Sequence, residues 1–144
     1  MKIYLDNCCY SRPYDRQEQI RIQLETQAKM EIQSRVEKGK YDLVASSFLL
    51  DENNNKKDES IKSHIKDYID SYMCELVQES EHPKLKDLAK EIESTGIKPL
   101  DAAHLASAIE SKCDYFITTD DRILKHKTDK IKIVNPVQFI TEER

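Results

Sequence analysis

The sequence predicts an α/β protein in which a parallel sheet of about four to five strands is flanked by helices. Short apolar segments rich in strand-forming residues alternate with longer segments whose apolar residues recur at helical spacing. Such alternation predicts parallel strands joined by right-handed crossovers. The 144 residues suffice to bury a core and show no internal repeat or linker, so we expect a single domain spanning residues 1–144.

The most informative segment is 98–122, which predicts a helix followed by a strand. Pro99 suits a first helical turn, because its missing N–H would have no helical partner there. The following apolar stripe contains small residues, which predict a helix lying close against a sheet. It consists of Ala102, Leu105, Ala106 and Ile109. Residues 115–118 predict a short strand, and the chain then turns at the acidic pair Asp120 and Asp121.

The remaining segments complete the predicted order. Further strands are expected at 2–5, 42–45, 74–78 and 130–134. Further helices are expected at 16–38, 56–72 and 82–94, with shorter ones at 46–52, at 122–127 and after Asn135 and Pro136. A loop is expected at 7–15. The helix at 16–38 is predicted to bury a stripe made of Ile20, Leu24, Ala28, Ile32 and Val36.

Composition excludes several classes of protein. The two glycines, Gly39 and Gly96, follow helical patterns as helix stops, so no Gly-rich phosphate loop or dinucleotide fingerprint is present. The formal charge is -4, and if four acids surround a metal ion the remaining surface is balanced, which is compatible with a locally basic groove. We expect no membrane span and no signal peptide. The four cysteines lack Cys-x-x-Cys spacing, which favours a reduced, cytoplasmic protein without structural zinc.

Acidic residues recur where predicted strands end or helices begin. Asp6 directly follows the first strand and Asp120 follows the fourth, and the carboxyl ends of parallel strands lie at one edge of a sheet. Asp101 lies in a first helical turn, and Glu52 or Asp51 follows the second strand. Taken singly, an acid at a cap or in a first turn is explained by helix electrostatics. The occurrence of four such acids together favours a site for Mg²⁺ or Mn²⁺, which prefer oxygen ligands.

The order of these acids resembles the PIN-domain nucleases, above all the small prokaryotic proteins related to the VapC ribonuclease toxins. The likeness rests on Asp6 in MKIYLD, Glu52 in ASSFLLDEN, Asp101 in PLDAAHLASA and Asp120 in FITTDDR, and it extends to the closing KIKIVNPVQFI. It implies a three-layer sandwich, a Mg²⁺ or Mn²⁺ site, and endonucleolytic hydrolysis of RNA to 5′-phosphate and 3′-hydroxyl ends. It also implies a homodimer and, for the toxin of a type II toxin–antitoxin pair, an antitoxin partner.

The resemblance assigns catalysis and metal binding to these four acids. Asp121 is expected to be a further ligand or the cap of the following helix. Asp51 is the alternative to Glu52, although the spacing from the preceding strand and the Asn that follows favour Glu52. Asn7 and Thr118 are expected to support the metal site.

Several other side chains are candidates for lesser roles. His104 lies one turn beyond Asp101 and can contact it or a carboxylate nearby, but we interpret it as a helix-surface or interface histidine. Cys8 and Cys9 lack the arginine of a Cys-x5-Arg phosphatase and are expected to be small buried residues. The basic residues that are candidates to grip RNA phosphates are Arg12, Arg16, Lys56 and Lys57, although a solvated charged face is the default interpretation of each.

Three other functions share part of the pattern. A phosphatase of the haloacid dehalogenase kind also places Asp after the first strand, but it needs Asp-x-Asp, and Cys8 stands where the second acid would be. A receiver-like module needs paired acids early in the chain, whereas the pair here is late. A catalytically inactive PIN-like module that binds a metal or a partner is the main alternative to a nuclease.

Overall fold

The computed structural model describes residues 1–143 and places a five-stranded sheet between two layers of helices. The strands are β1 (Lys2–Leu5), β2 (Asp42–Ser46), β3 (Met73–Val77), β4 (Tyr115–Ile117) and β5 (Lys132–Val134). They are all parallel and run in the order β3-β2-β1-β4-β5. The predicted α/β class with a parallel sheet is confirmed, and β1 is its central strand.

Eight helices lie between and beside the strands in the described part of the chain. They are α1 (Asn7–Ser11), α2 (Ile20–Glu37), α3 (Ser47–Asn54), α4 (Glu59–Tyr72), α5 (Leu85–Glu93), α6 (Pro99–Glu110), α7 (Asp121–Leu124) and α8 (Pro136–Glu142). Short 3-10 turns occupy Arg12–Tyr14 and Glu79–Glu81. Within residues 1–143, no helix combines the length and the apolar character that crossing a membrane would require.

Both faces of the sheet are buried, as expected of a parallel sheet. Ile3 and Leu5 of β1 point to one face, where they pack in a core with residues of α2, α4 and α8. Tyr4 points to the other face, where its core partners come from α5, α6 and α7. The Tyr4 ring stacks on Phe116 of β4, with 5.4 Å between the ring centroids. The two cores therefore give the three layers of the predicted sandwich.

The residues that follow three strands also begin the next helices. The side chains of Asp6, Ser46 and Asp120 are the N-caps of α1, α3 and α7, and each accepts a hydrogen bond from a backbone N–H of its helix. β1, β2 and β4 are neighbours in the sheet. As a result, three polar caps lie along one edge, where the loops after the strands meet.

The predicted loop at 7–15 is wrong, because α1 and a 3-10 turn occupy most of this segment. The sequence NCCYS has little helical propensity. The helix forms because Asp6 caps it and because Cys9 and Tyr10 are buried in the core. Tertiary burial, rather than local sequence pattern, therefore determines this helix.

The predicted stripe of the helix at 16–38 is correct only in its second half. α2 begins at Ile20, whose side chain is 72% exposed, and Leu24 is 48% exposed. Ala28 and two following members of the stripe are buried as predicted. Glu25 in the first half and Lys29 next to Ala28 are buried although neither belongs to the predicted stripe. The other predicted elements are present with ends shifted by a few residues, and Gly39 and Gly96 have the positive φ angles of helix-ending glycines.

The buried carboxylate of Glu25 joins α2 to two other parts of the chain. Arg21 Nε donates to Oε2 at 3.1 Å, and Arg12 Nε lies 3.0 Å from Oε1 without hydrogen-bond alignment. Asn135 Nδ2 also donates to Oε2. Since Asn135 Oδ1 accepts from the backbone N–H of Val137 at 2.8 Å, Glu25 orients the side chain that caps α8.

We expect Glu25→Gln to lower the free energy of unfolding by about 2 kcal/mol. The substitution leaves two guanidiniums facing a neutral group, and the loss is below the roughly 3–5 kcal/mol of a fully buried pair because both reach solvent. Urea unfolding measures the change. Glu31→Gln, which removes an i,i+4 pair with Arg35 at the surface, is the matched control and should cost less than about 0.5 kcal/mol. Equal losses in the two variants would contradict the prediction.

Candidate metal centre

Four of the predicted acids lie at the edge of the sheet where β1, β2 and β4 end. Asp6 follows β1 and is only 5% exposed, and Glu52 lies on α3. Asp101 is in the first turn of α6, and Asp120 follows β4. One ligand atom each from Asp6, Glu52 and His104 lies within 4.8 Å of the others, a spacing that could hold a metal ion. The structure thus brings Asp6 and Glu52 together and adds a histidine beside them.

Hydrogen bonds orient both oxygens of the Asp6 carboxylate. Thr118 Oγ1 donates to Oδ2 at 2.9 Å, and the backbone N–H of Asn7 donates to Oδ1 at 2.8 Å. The same Thr118 oxygen accepts from the backbone N–H of Asp120 at 3.1 Å. Thr118 therefore supports the carboxylate with its side chain and Asn7 with its backbone, and Thr118 connects the residues that follow β1 and β4.

The acids act on one another electrostatically. Burial raises the pKa of Asp101 to about 6, and the negative charges of Asp6, Asp120 and Glu52 act in the same direction. Burial also raises the pKa of Asp6, against the lowering effects of His104 and of the hydrogen bonds to Asp6, and Glu52 adds to the rise. Four carboxylates that repel one another in this way are a suitable site for a divalent cation, which would neutralise them.

The two acids after β4 have different environments. Asp120 Oδ1 accepts from the backbone N–H of Arg122 at 2.9 Å, so Asp120 caps α7 and the expectation that Asp121 is the cap is wrong. Asp121 is exposed, and both of its oxygens accept from the Arg21 guanidinium, at 3.0 and 2.9 Å. This pairing lowers the pKa of Asp121. Asp121 therefore fastens the start of α7 to α2.

His104 is fully buried, so its interpretation as a helix-surface histidine is wrong. Its Nε2 lies 2.9 Å from Glu52 Oε1, and its Nδ1 lies 2.7 Å from Tyr4 Oη. Tyr4 Oη lies 2.6 Å from Ser46 Oγ, which accepts from the backbone N–H of Leu49 at 3.1 Å. The spacing from Asp101 predicts that His104 lies near the acids, but Tyr4 is 100 residues away in sequence and no local pattern links it to His104.

The positions of the protons follow from which atoms can donate. An ionised Glu52 only accepts, so His104 Nε2 must bear the hydrogen. In a neutral ring Nδ1 then accepts from the Tyr4 hydroxyl, and burial, which raises the Tyr4 pKa, keeps that hydroxyl protonated. The Tyr4 oxygen in turn accepts from Ser46. Both ring nitrogens are thus used, and His104 orients Glu52 as a donor, leaving carboxylate oxygens as the metal-facing groups.

One of the four predicted phosphate-binding residues has contacts beside the acids. Lys56 Nζ donates to Asn7 Oδ1, and half-burial lowers the pKa of Lys56 while the charge of Glu52 opposes that change. Arg12 and Arg16 are instead held in ion pairs with acids of the 3-10 turn and α2 region. Lys57 is exposed. Lys56 is therefore the predicted cation that is best placed to meet an anion at the acids.

Comparison with solved structures supports the predicted fold. A chain from the crystal structure of VapBC2 from Rickettsia felis, bound to a DNA fragment from their promoter, superposes with a TM-score of 0.60 over 94% of this chain and 98% of that chain, at 16% identity. A chain of FitAcB from Neisseria gonorrhoeae gives a TM-score of 0.49 over 93% and 97%, at 15% identity. No protein-family model and no curated protein sequence matches the chain. The likeness to the chain of VapBC2 confirms the predicted α/β sandwich with a parallel sheet.

We expect Asp101→Asn to stabilise the metal-free protein at pH 7.5. Asp101 ionises near 3.8 when unfolded and at about 6 when folded, so the folded state binds more protons between these values. Stability therefore falls as the pH rises through this window and stays lower above it. The substitution should raise the free energy of unfolding by about 1 kcal/mol, discounted from the full shift because the side chain is half exposed.

Thermal unfolding of the metal-free protein from pH 4 to pH 8 measures this effect. The wild type should lose stability between pH 4 and pH 6 more steeply than the variant. The control is Asp67→Asn, an exposed acid on α4, which should leave the profile unchanged. A variant that is less stable than the wild type at pH 7.5 would show that the acids do not repel one another.

We expect Tyr4→Phe to remove the donor that fixes the His104 ring. The ¹⁵N spectrum of the wild type should show one form of His104 with hydrogen on Nε2, and the variant should show exchange between forms. The variant should also lose about 1–2 kcal/mol from the free energy of unfolding. Tyr14→Phe, at an exposed tyrosine, is the control and should change neither. An Nδ1–H form in the wild type would contradict the assigned direction of the hydrogen bonds.

Proposed function

We propose that this chain is a metal-dependent endoribonuclease in which Asp6, Glu52, Asp101 and Asp120 are the catalytic residues and the ligands of Mg²⁺ or Mn²⁺. The observation that supports this most is the meeting of these acids at one edge of the sheet, where burial and mutual repulsion raise the pKa values of Asp6 and Asp101. The fold shared with a chain of VapBC2 adds support, because the order of the acids resembles the VapC ribonuclease toxins.

The residues fit a hard cation, since the groups facing the site are carboxylate oxygens and the one nearby histidine is used by Glu52 and Tyr4. When bound, Mg²⁺ or Mn²⁺ supplies Lewis acidity, which polarises a phosphodiester and lowers the pKa of water. The chain's own contribution is orientation: Thr118 fixes Asp6 and His104 fixes Glu52. Asp121, held by Arg21, is proposed as an outer residue of the same site.

The reaction proposed is the attack of water on a phosphorus atom of RNA. The new bond joins the water oxygen to phosphorus, and the bond from phosphorus to the 3′ oxygen breaks, which leaves a 5′-phosphate and a 3′-hydroxyl. The Lys56 ammonium, beside Asn7 at the acids, is placed to offset the negative charge that develops on the phosphate oxygens.

The partners proposed for this activity are an RNA substrate, an antitoxin protein and a second copy of this chain. They follow from the resemblance to VapC toxins, which implies a type II toxin–antitoxin pair and a homodimer. We propose the cytoplasm as the location, and the four free cysteines agree with a reducing compartment.

We expect the purified protein to cut a mixed pool of single-stranded and structured RNAs in Mg²⁺ or Mn²⁺ and not in chelator. Asp6→Asn and Asp101→Asn should each lower the rate by about 100-fold or more, since each removes a carboxylate that would hold the metal ion against the reacting phosphate. Asp121→Asn should lower it less, and Asp67→Asn, on α4, is the control that should cut like the wild type.

A different result would identify the alternative. If Mn²⁺ raises the melting temperature of the wild type but no RNA in the pool is cut, the chain is an inactive PIN-like module that binds metal. If cutting survives Asp6→Asn and Asp101→Asn, the nuclease site lies elsewhere.

A further inference from the structure

A second feature lies next to the acids, on the far side of Asp101. A cavity of about 320 Å³ opens between the α5–α6 loop and α7. Asp101 is part of its wall, as are the buried side chains of Ile97 and Ile123. Four basic side chains also line this space, which we name the basic cavity: Lys98, Arg122, Lys125 and His126.

The cations of the basic cavity are available to a ligand. Within residues 1–143, Lys98, Arg122 and Lys125 form no ion pair within 4.0 Å, although many other basic residues of the chain do. His126 Nδ1 lies 3.4 Å from Thr95 Oγ1 at the rim. In a chain with a net charge of -4, three such cations around one cavity indicate a site for an anion.

We propose that the basic cavity binds a backbone phosphate of RNA next to the phosphate that is cut. This inference rests on the nuclease function proposed above and identifies how its substrate is held. Asp101 borders both the acids and the basic cavity, so a strand lying on the acids passes directly to the cations. An RNA strand has a phosphate at every nucleotide. A strand that is bound by one phosphate in the basic cavity therefore brings the next phosphate close to the acids.

The short helix α7 also joins the two sites. Asp120, an acid of the proposed metal centre, is its N-cap and accepts from the backbone N–H of Arg122, and Lys125 directly follows its last residue. The volume suits a single small group rather than a long peptide segment, since ligand sites in proteins begin at roughly 300 Å³. An RNA phosphate with its sugar is therefore favoured over an acidic peptide.

Contacts to phosphate add affinity without reading sequence. Removal of two cations that bind phosphate should therefore weaken binding for every RNA alike, and it should raise KM while leaving kcat almost unchanged. It should also weaken the salt dependence of binding. For single-stranded RNA, the slope of log K against log salt concentration should fall by about 0.7 for each cation removed from the protein.

The test is the double variant Arg122→Gln with Lys125→Gln, measured on the full chain with one single-stranded RNA oligonucleotide. We expect KM in Mn²⁺ and Kd in chelator to rise about tenfold, kcat to stay within about twofold, and the salt slope to fall by about 1.4. The matched control is Lys38→Gln with Lys40→Gln, which removes the same charge before β2 at the opposite edge of the sheet and should behave like the wild type. Lys98→Gln is a second variant, which replaces the double variant if the latter has a lower melting temperature than the wild type.

The outcomes separate this inference from the function on which it rests. If the wild type cuts RNA and the cavity variants bind and cut equally well, the inference is wrong and the nuclease stands. If the wild type neither binds nor cuts RNA, both fail. If hexaglutamate peptide binds the wild type, is released by the cavity substitutions, and RNA binding is unaffected by them, the cavity takes an acidic peptide and the inference is overturned.

Discussion

Burial of the Asp6 carboxylate at the end of the central strand is the constraint on which the candidate site depends. A buried carboxylate is costly unless hydrogen bonds satisfy it, and Thr118 and the start of α1 supply these bonds. Their geometry requires β1 and β4 to end in register, which the pairing of Leu5 with Ile117 provides. The sheet therefore fixes the distance between the acids that follow these two strands.

The same arrangement opposes the stability of the metal-free protein. Acids whose pKa values are raised in the folded state weaken folding at neutral pH, so other parts of the chain must offset them. One such part is formed by Glu25 with Arg12, Arg21 and Asn135. It pairs opposite charges where α2, the 3-10 turn and α8 meet. Like charges are thus gathered at the candidate site, and opposite charges are paired around Glu25. Local conflict at a site, balanced elsewhere, is typical of a functional centre.

The sequence was informative where local pattern determines structure. Strand propensity and helical spacing predicted all five strands and the packing of α6, and acids directly after strands predicted which residues would meet. The failures have a common physical origin. α1 depends on burial of Cys9 and Tyr10. The first half of α2 turns Glu25 inward because Arg21 and Asn135 donate hydrogen bonds to it and the charge of Arg12 lies beside it. The spacing of residues within one segment cannot predict contacts with residues from distant segments.

The histidine network shows the same limit within the site. His104 was visible as a neighbour of Asp101, but its burial and its role follow from Tyr4, on a strand 100 residues earlier. A histidine that shares both nitrogens with protein groups orients an acid, whereas one with a free nitrogen would compete for the metal ion. The hydrogen-bond partners, and not the residue type, therefore decide whether the centre favours a hard or a softer cation.

An acidic protein can still bind a polyanion when its cations are concentrated where the polyanion must lie. Here Lys56 lies beside Asn7 near the acids, and the basic cavity includes Asp101 in its wall. Cations that are gathered around one site raise the positive potential there, whatever the net charge of the chain. In the proposed nuclease, the acids would contact the phosphate that is cut through a bound metal ion, and the basic side chains would contact a neighbouring phosphate directly. Affinity for RNA would then depend on the basic side chains and the cleavage step on the acids, so substitutions could alter the two separately.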